Sequence, residues 1–143
     1  MRAVTERLFV YGTLRNDIPN SAAHLLGPEV TLLGPARAQG HLFSIGRYPG
    51  FVPSSEPDAW VHGQVVILAN PAEAFVRLDI HEGCAPEDPH PQEFQRIQLE
   101  VITQTGGPLH VWTYVYNHST TSKPLIASGD FARVAASPRS IDR

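Results

Sequence analysis

The chain has 143 residues, of which 42% are hydrophobic and 17% charged, and its formal net charge at neutral pH is −3. That length fits one domain with a core of its own, and the composition lies well away from the signature of disorder. The slight acidity argues against nucleic acid or an anionic membrane surface as partner, and no run of about 18 apolar residues is present to span a bilayer.

The segment MRAVTERLFVYG lacks the apolar stretch of a signal peptide, and the single cysteine, Cys84, cannot close an internal disulfide. Both features lead to the expectation of an unexported protein in a reducing cytoplasm. A single domain is expected over residues 1–133, with 134–143 too poor in apolar surface to be held down and so expected as a flexible tail.

In chain order, Leu8–Tyr11 reads as a short buried strand that stops at Gly12, and Ser21–Leu26 as a capped helix with Gly27 just past its end. VTLLG and ARAQGHLFSIG read as two strands, the second ending in a turn at Arg47–Gly50, and Ala59–Leu68 as another strand. A helix is predicted from Pro71 to Ile80 or His81, with Asn70 as N-cap and Glu73 at the capping-box position. FQRIQLEVIT and LHVWTYVYN read as a hairpin joined at TGGP. In the second strand Leu109, Val111, Thr113 and Val115 share one face, and His110, Trp112, Tyr114 and Tyr116 the other. A short helix capped by Ser128 or Asp130 is expected at SGDFARV. Many short strands, antiparallel hairpins and two or three short helices predict an α+β domain around a curled or barrel-like sheet.

Three constellations are candidates for chemistry. After the first strand, Gly12, Thr13 and Leu14 can leave successive N–H groups outward as a cradle for anionic oxygen, with Arg15 as a forked donor; a plain turn with a solvated arginine is the alternative. Glu82 follows Phe75 and Leu78 on one helical stripe, so its carboxyl projects inward. Burial there would raise its pKa toward that of a general acid/base, unless it reaches water or pairs with Arg77 or Arg96. The stripe Trp112, Tyr114, Tyr116 can line a pocket or simply fill a core. No G-x-G-x-x-G, Gly-Lys-Ser/Thr or G-x-S-x-G is present, and the seven scattered histidines form no H-E-x-x-H pair, so no metal site is expected.

FVYGTLRN with Pro19–Asn20, YPG at 48–50, VHGQVV at 61–66, LDIHEG at 78–83, FQR at 94–96 and WTYVY at 112–116 together resemble the γ-glutamylcyclotransferase-like superfamily, over roughly Leu8 to Arg133. PLIASGDFAR resembles the tail of small bacterial members. The resemblance implies a small mixed, mostly antiparallel barrel-like sheet and a cofactor-independent cyclisation. In it the α-amine of a γ-glutamyl amine or peptide attacks its own γ-carbonyl, releasing 5-oxoproline and a free amine. It further implies Glu82 as general acid/base, Gly12, Thr13 and Leu14 as N–H donors to the substrate, and Tyr11 and Tyr116 as pocket-lining residues. Arg15 matches the same motif and serves either the substrate or the structure. Phe94 stands where the family often has tyrosine. The competing expectation is a non-catalytic domain that binds a small carboxylate in the same pocket.

Overall fold

The computed structural model describes residues 5–135. Its strands are β1 (Glu6–Val10), β2 (Thr31–Ser44), β3 (Pro49–Pro53), β4 (Trp60–Leu68), β5 (Phe94–Thr103) and β6 (Pro108–Tyr116), and its helices are α1 (Pro71–Glu82) and α2 (Phe131–Ala135). The sheet runs β3-β2-β4-β1-β6-β5, and β5 returns to pair with β2 through Ala36 and Arg37. Five strands therefore close into a barrel, with β3 attached along β2. All pairings are antiparallel except β1 with β6, which lie parallel at Leu8 and Trp112. This is the α+β, mostly antiparallel barrel-like sheet expected from the sequence.

Strand alternation divides the interior into two cores. Phe9 and Tyr11 of the first segment join Phe51, Val61, Val65, Val101, Val111 and Val115 inside the barrel. Leu8 and Val10 point the other way and meet Ala74, Phe75 and Leu78 of α1, with Phe94, Tyr114 and Tyr116. β1 is thus buried on both faces, which is why its sequence is a continuous apolar run rather than an alternation. β6 shows the two faces expected of it, Val111, Thr113 and Val115 inward and Trp112, Tyr114 and Tyr116 toward α1.

Several expectations change. The two strands around Gly34 are one, because a bulge between Leu32 and Gly34 absorbs the irregularity without ending the ladder with β4. β3 grows out of the expected YPG turn: Pro49 and Pro53 both lie in a strand at the sheet margin, where a missing N–H costs no central ladder bond. The expected helix at 21–26 is a single 3-10 turn, Ala23–Leu26, held by Ser21 Oγ accepting the Ala23 N–H at 3.0 Å. Asn70 caps α1 only through its backbone carbonyl, its side chain donating instead to Glu29. α2 includes Val134 and Ala135, and the rest of the expected tail, 136–143, lies outside the described residues. Among the described residues no helix is long and apolar enough to cross a membrane.

Candidate active site

A cavity of about 320 Å³ opens where the end of β1, the turn before β3, the C-terminus of α1 and the start of β5 converge. Tyr11, Gly12, Thr13 and Leu14 line it from the β1 side, and Glu82 from α1. Five of the seven residues singled out from the sequence are thereby brought together.

Gly12 is required by proximity rather than by its dihedral freedom. A Cβ there would lie 2.7 Å from Pro49 Cγ and 2.9 Å from Cδ, so only glycine lets the turn press against the proline that opens β3. The turn is then fixed by its carbonyls: Gly12 C=O accepts the Arg15 N–H at 3.0 Å, and Thr13 C=O accepts the Ala22 N–H at 2.7 Å. The N–H groups of Gly12, Thr13 and Leu14 have no hydrogen-bond acceptor among the described residues. A segment that leaves three donors without partners beside a cavity is suited to oxygen atoms of negative charge.

Glu82 closes α1 just before Gly83, whose left-handed conformation (φ 75°, ψ 30°) ends the helix and returns its N–H to the carbonyls of Asp79 and Ile80. Phe75 and Leu78 bury the same stripe, and this places the Glu82 carboxyl at the cavity rather than in solvent. Neither expected partner takes it: Arg77 donates to Leu25 C=O, and Arg96 is engaged with Asp79. Burial, reinforced by the charges of Glu93 and then Asp79, pushes its pKa up to about 7. Such a carboxyl exchanges protons in the neutral range, as a general acid/base requires.

Behind Glu82 lies a partly buried polar chain. Asp79 accepts from Arg96 Nε at 3.0 Å and Nη2 at 3.1 Å, and from Tyr114 OH at 2.6 Å. Arg96 is stacked over Phe75 and Trp112, its Cζ 4.0 and 4.9 Å from the ring centroids. The backbone carbonyl of Tyr114 in turn accepts the Tyr11 OH at 2.6 Å. Burial and the nearby Asp79 carboxylate push the Cys84 thiol up to about 12, so it is not a nucleophile at neutral pH.

Arg15 and Tyr116 are not among the residues lining the cavity. Arg15 is buried, its fork bidentate on Asp17 at 2.8 and 2.7 Å, with Nη1 donating to Asp130 at 2.9 Å and to His62 C=O at 3.2 Å. It clasps the loop after β1 to the start of α2, leaving no donor pair for a substrate carboxylate. Tyr116 stands edge-on to Phe94, 5.4 Å between centroids, and packs where a Cβ on Gly50 would fall. It backs a lining residue instead of lining.

Several polar lining residues escaped the sequence reading, among them Asn20, Arg47, His81, Tyr48 and Glu93. Tyr48 donates to the Glu93 carboxylate, and both face the cavity. Tyr48 sits in a turn and Glu93 follows a proline-broken loop, so no periodicity marks either one. Neither the 54–58 loop nor the 85–92 loop contributes a lining residue. Among the described residues no group of three or more His, Cys, Asp or Glu side chains is placed to hold a metal ion.

Comparison with known proteins places this geometry in a family. Residues 8–133 match the family model described as gamma-glutamyl cyclotransferase, AIG2-like. The chain is 32% identical over 126 residues to the gamma-glutamylcyclotransferase family protein YtfP of Escherichia coli K12, covering 87% of this chain and 95% of that one. It is 35% identical over 119 residues, 81% of this chain and 70% of the other, to the gamma-L-glutamyl-butirosin B gamma-glutamyl cyclotransferase of Niallia circulans. An AIG2-like protein from Mus musculus shares the fold, with a TM-score of 0.70 at 22% identity over 94% of this chain and 92% of that one. The chain therefore belongs to the gamma-glutamyl cyclotransferase, AIG2-like family.

Proposed function

We propose that the protein converts a γ-glutamyl amine or peptide to 5-oxoproline and a free amine, with no cofactor. One observation carries the reading: a carboxyl free of any cationic partner among the described residues and pushed up to about 7 lines the same cavity as a turn with three acceptor-free N–H groups. The Niallia circulans relative is named a gamma-glutamyl cyclotransferase, which supports the same chemistry.

In this reading the Gly12–Leu14 N–H groups hold the substrate's α-carboxylate and polarise the γ-carbonyl. The Glu82 carboxylate takes a proton from the α-ammonium. The freed nitrogen bonds to the γ-carbon, closing a five-membered ring, and the carbonyl oxygen takes the negative charge. Glu82 then returns its proton to the departing nitrogen as the carbon–nitrogen bond to the leaving amine breaks and the oxyanion closes back to a carbonyl. The second proton still on the ring nitrogen passes to the Glu82 carboxylate and on to the released amine, which leaves as an ammonium. One group serves both steps because its pKa lies near the working pH. Confinement of the folded substrate supplies an entropic share of the acceleration. Arg15 holds the turn that presents the donors, and Tyr11 and Phe94 shape the walls. The lone Cys84 and the bacterial relatives support a bacterial cytoplasm as the setting.

The test is 5-oxoproline release from a panel of γ-glutamyl amines, γ-glutamyl amino acids and glutathione. Turnover of at least one member is expected, with one free amine released per lactam. Binding without turnover across the panel overturns the catalytic reading in favour of a carboxylate-binding domain.

A further inference from the structure

We propose that Asp79 and Arg96, neither of which lines the cavity, are positioning residues that lock the Glu82-bearing end of α1 against the wall carrying Tyr11. The inference rests on the role given to Glu82 above.

Asp79 lies three residues before Glu82, just under one turn, on the last turn of α1. Its side chain is gripped from two strands, by the Arg96 fork from β5 and the Tyr114 hydroxyl from β6. Its backbone carbonyl closes the helix end by accepting the N–H groups of Gly83 and, at 2.9 Å, Cys84. One residue thus ties both the side-chain face and the backbone terminus of the turn that carries Glu82. The chain continues to the opposite wall, because the Tyr114 carbonyl holds the Tyr11 hydroxyl. The hydrogen bonds from Arg96 to Asp79, from Tyr114 to Asp79 and from Tyr11 to Tyr114 are each 3.1 Å or less, the last two joined through the body of Tyr114.

The arrangement is more than a stabilising ion pair. Stacking of Arg96 on Phe75 and Trp112 leaves its guanidinium one orientation, so the fork sets the direction as well as the presence of the contact. A lysine keeps the charge and loses that geometry. In a reaction that needs one carboxyl within hydrogen-bond reach of two successive nitrogen atoms, a small misplacement of the helix end is costly in rate.

Asp79 also faces Glu82 electrostatically, as do Glu93 just before β5, Tyr11, Tyr48 and Cys84, and Arg47 from the turn before β3 and His81 line the same cavity. Replacing Asp79 by Asn removes one negative charge from this set and leaves the Arg96 cation without its carboxylate.

The experiment compares wild type, Asp79→Asn, Arg96→Lys and Glu82→Gln by kcat and KM per folded molecule. The Glu82 carboxyl of the first three is also titrated by 13C NMR. Both positioning variants are expected to lose about 10- to 100-fold in kcat with KM within about twofold. The Glu82 midpoint is expected to fall in Asp79→Asn. An unchanged kcat in folded Arg96→Lys, or an unmoved Glu82 midpoint in Asp79→Asn, overturns the proposal. Should Asp79→Asn fail to fold, Arg96→Lys decides. Turnover retained in Glu82→Gln marks instead the failure of the parent reading, and the Glu82 titration then decides whether Asp79 controls that carboxyl.

Discussion

The carboxylates of Glu82 and Glu93 face one cavity, and the charge of Glu93, after burial itself, is the largest influence holding Glu82 protonated toward neutral pH. Glu93→Gln removes that charge while its amide can still accept from Tyr48. The acidic limb of the kcat/KM profile, expected near pH 7 in the wild type, should move to lower pH in this variant. A limb that stays in place separates Glu93 from Glu82 and contradicts the coupling.

The raised Glu82 pKa also has a stability consequence. Its carboxyl, ordinarily near 4.5, titrates at about 7 in the folded protein, so between those values the folded state holds more protons than the unfolded one. The folded state therefore gains most from this group below about pH 4.5 and loses that gain as pH rises through 7. The loss is on the order of 3 kcal/mol above pH 7. Glu82→Gln, which never ionises, should melt above the wild type at pH 8 and converge with it near pH 4.5. Equal Tm differences at both pH values contradict the burial of this charge.

Gly12→Ala should cost about 1–3 kcal/mol through the collision with the Pro49 ring. Pro49→Ala in the same background should recover part of that loss, and the two changes should be non-additive in urea melts. Full additivity would mean that the turn and β3 are not pressed together there.

Arg15→Ala should lower stability by about 1.5–3 kcal/mol, because three charge-assisted bonds to Asp17 and Asp130 vanish from a largely buried position. Asp130→Asn should add little in the Arg15→Ala background. A substrate-binding arginine would behave oppositely, with KM raised and Tm unmoved.

Local periodicity made the barrel walls legible. In β6 strict alternation separates Val111, Thr113 and Val115 from Trp112, Tyr114 and Tyr116, and in α1 the recurrence of Phe75, Leu78 and Glu82 marks the inward stripe. β3 is hidden because Pro49 and Pro53 read as turn residues, and only its marginal place in the sheet admits them. The barrel's closure through Ala36 and Thr103 is a long-range pairing that no local pattern encodes. Glu82 stands out in the sequence because a charge on an apolar stripe conflicts with its neighbours. Glu93 does not, since its position depends on where a proline-broken loop re-enters the sheet. Arg15 misleads for a related reason: its partner Asp130 is 115 residues away, so adjacency to the Gly12 turn suggests a ligand role that tertiary contacts take over.

The most direct measurement is a side-by-side comparison of wild type and Glu82→Gln on the γ-glutamyl compound that binds best, with affinity by calorimetry and 5-oxoproline release by chromatography. Retained affinity with turnover reduced at least about 100-fold is expected of the proton carrier. Equal 5-oxoproline release from both proteins would contradict the assignment of Glu82 and, with it, the proposed mechanism.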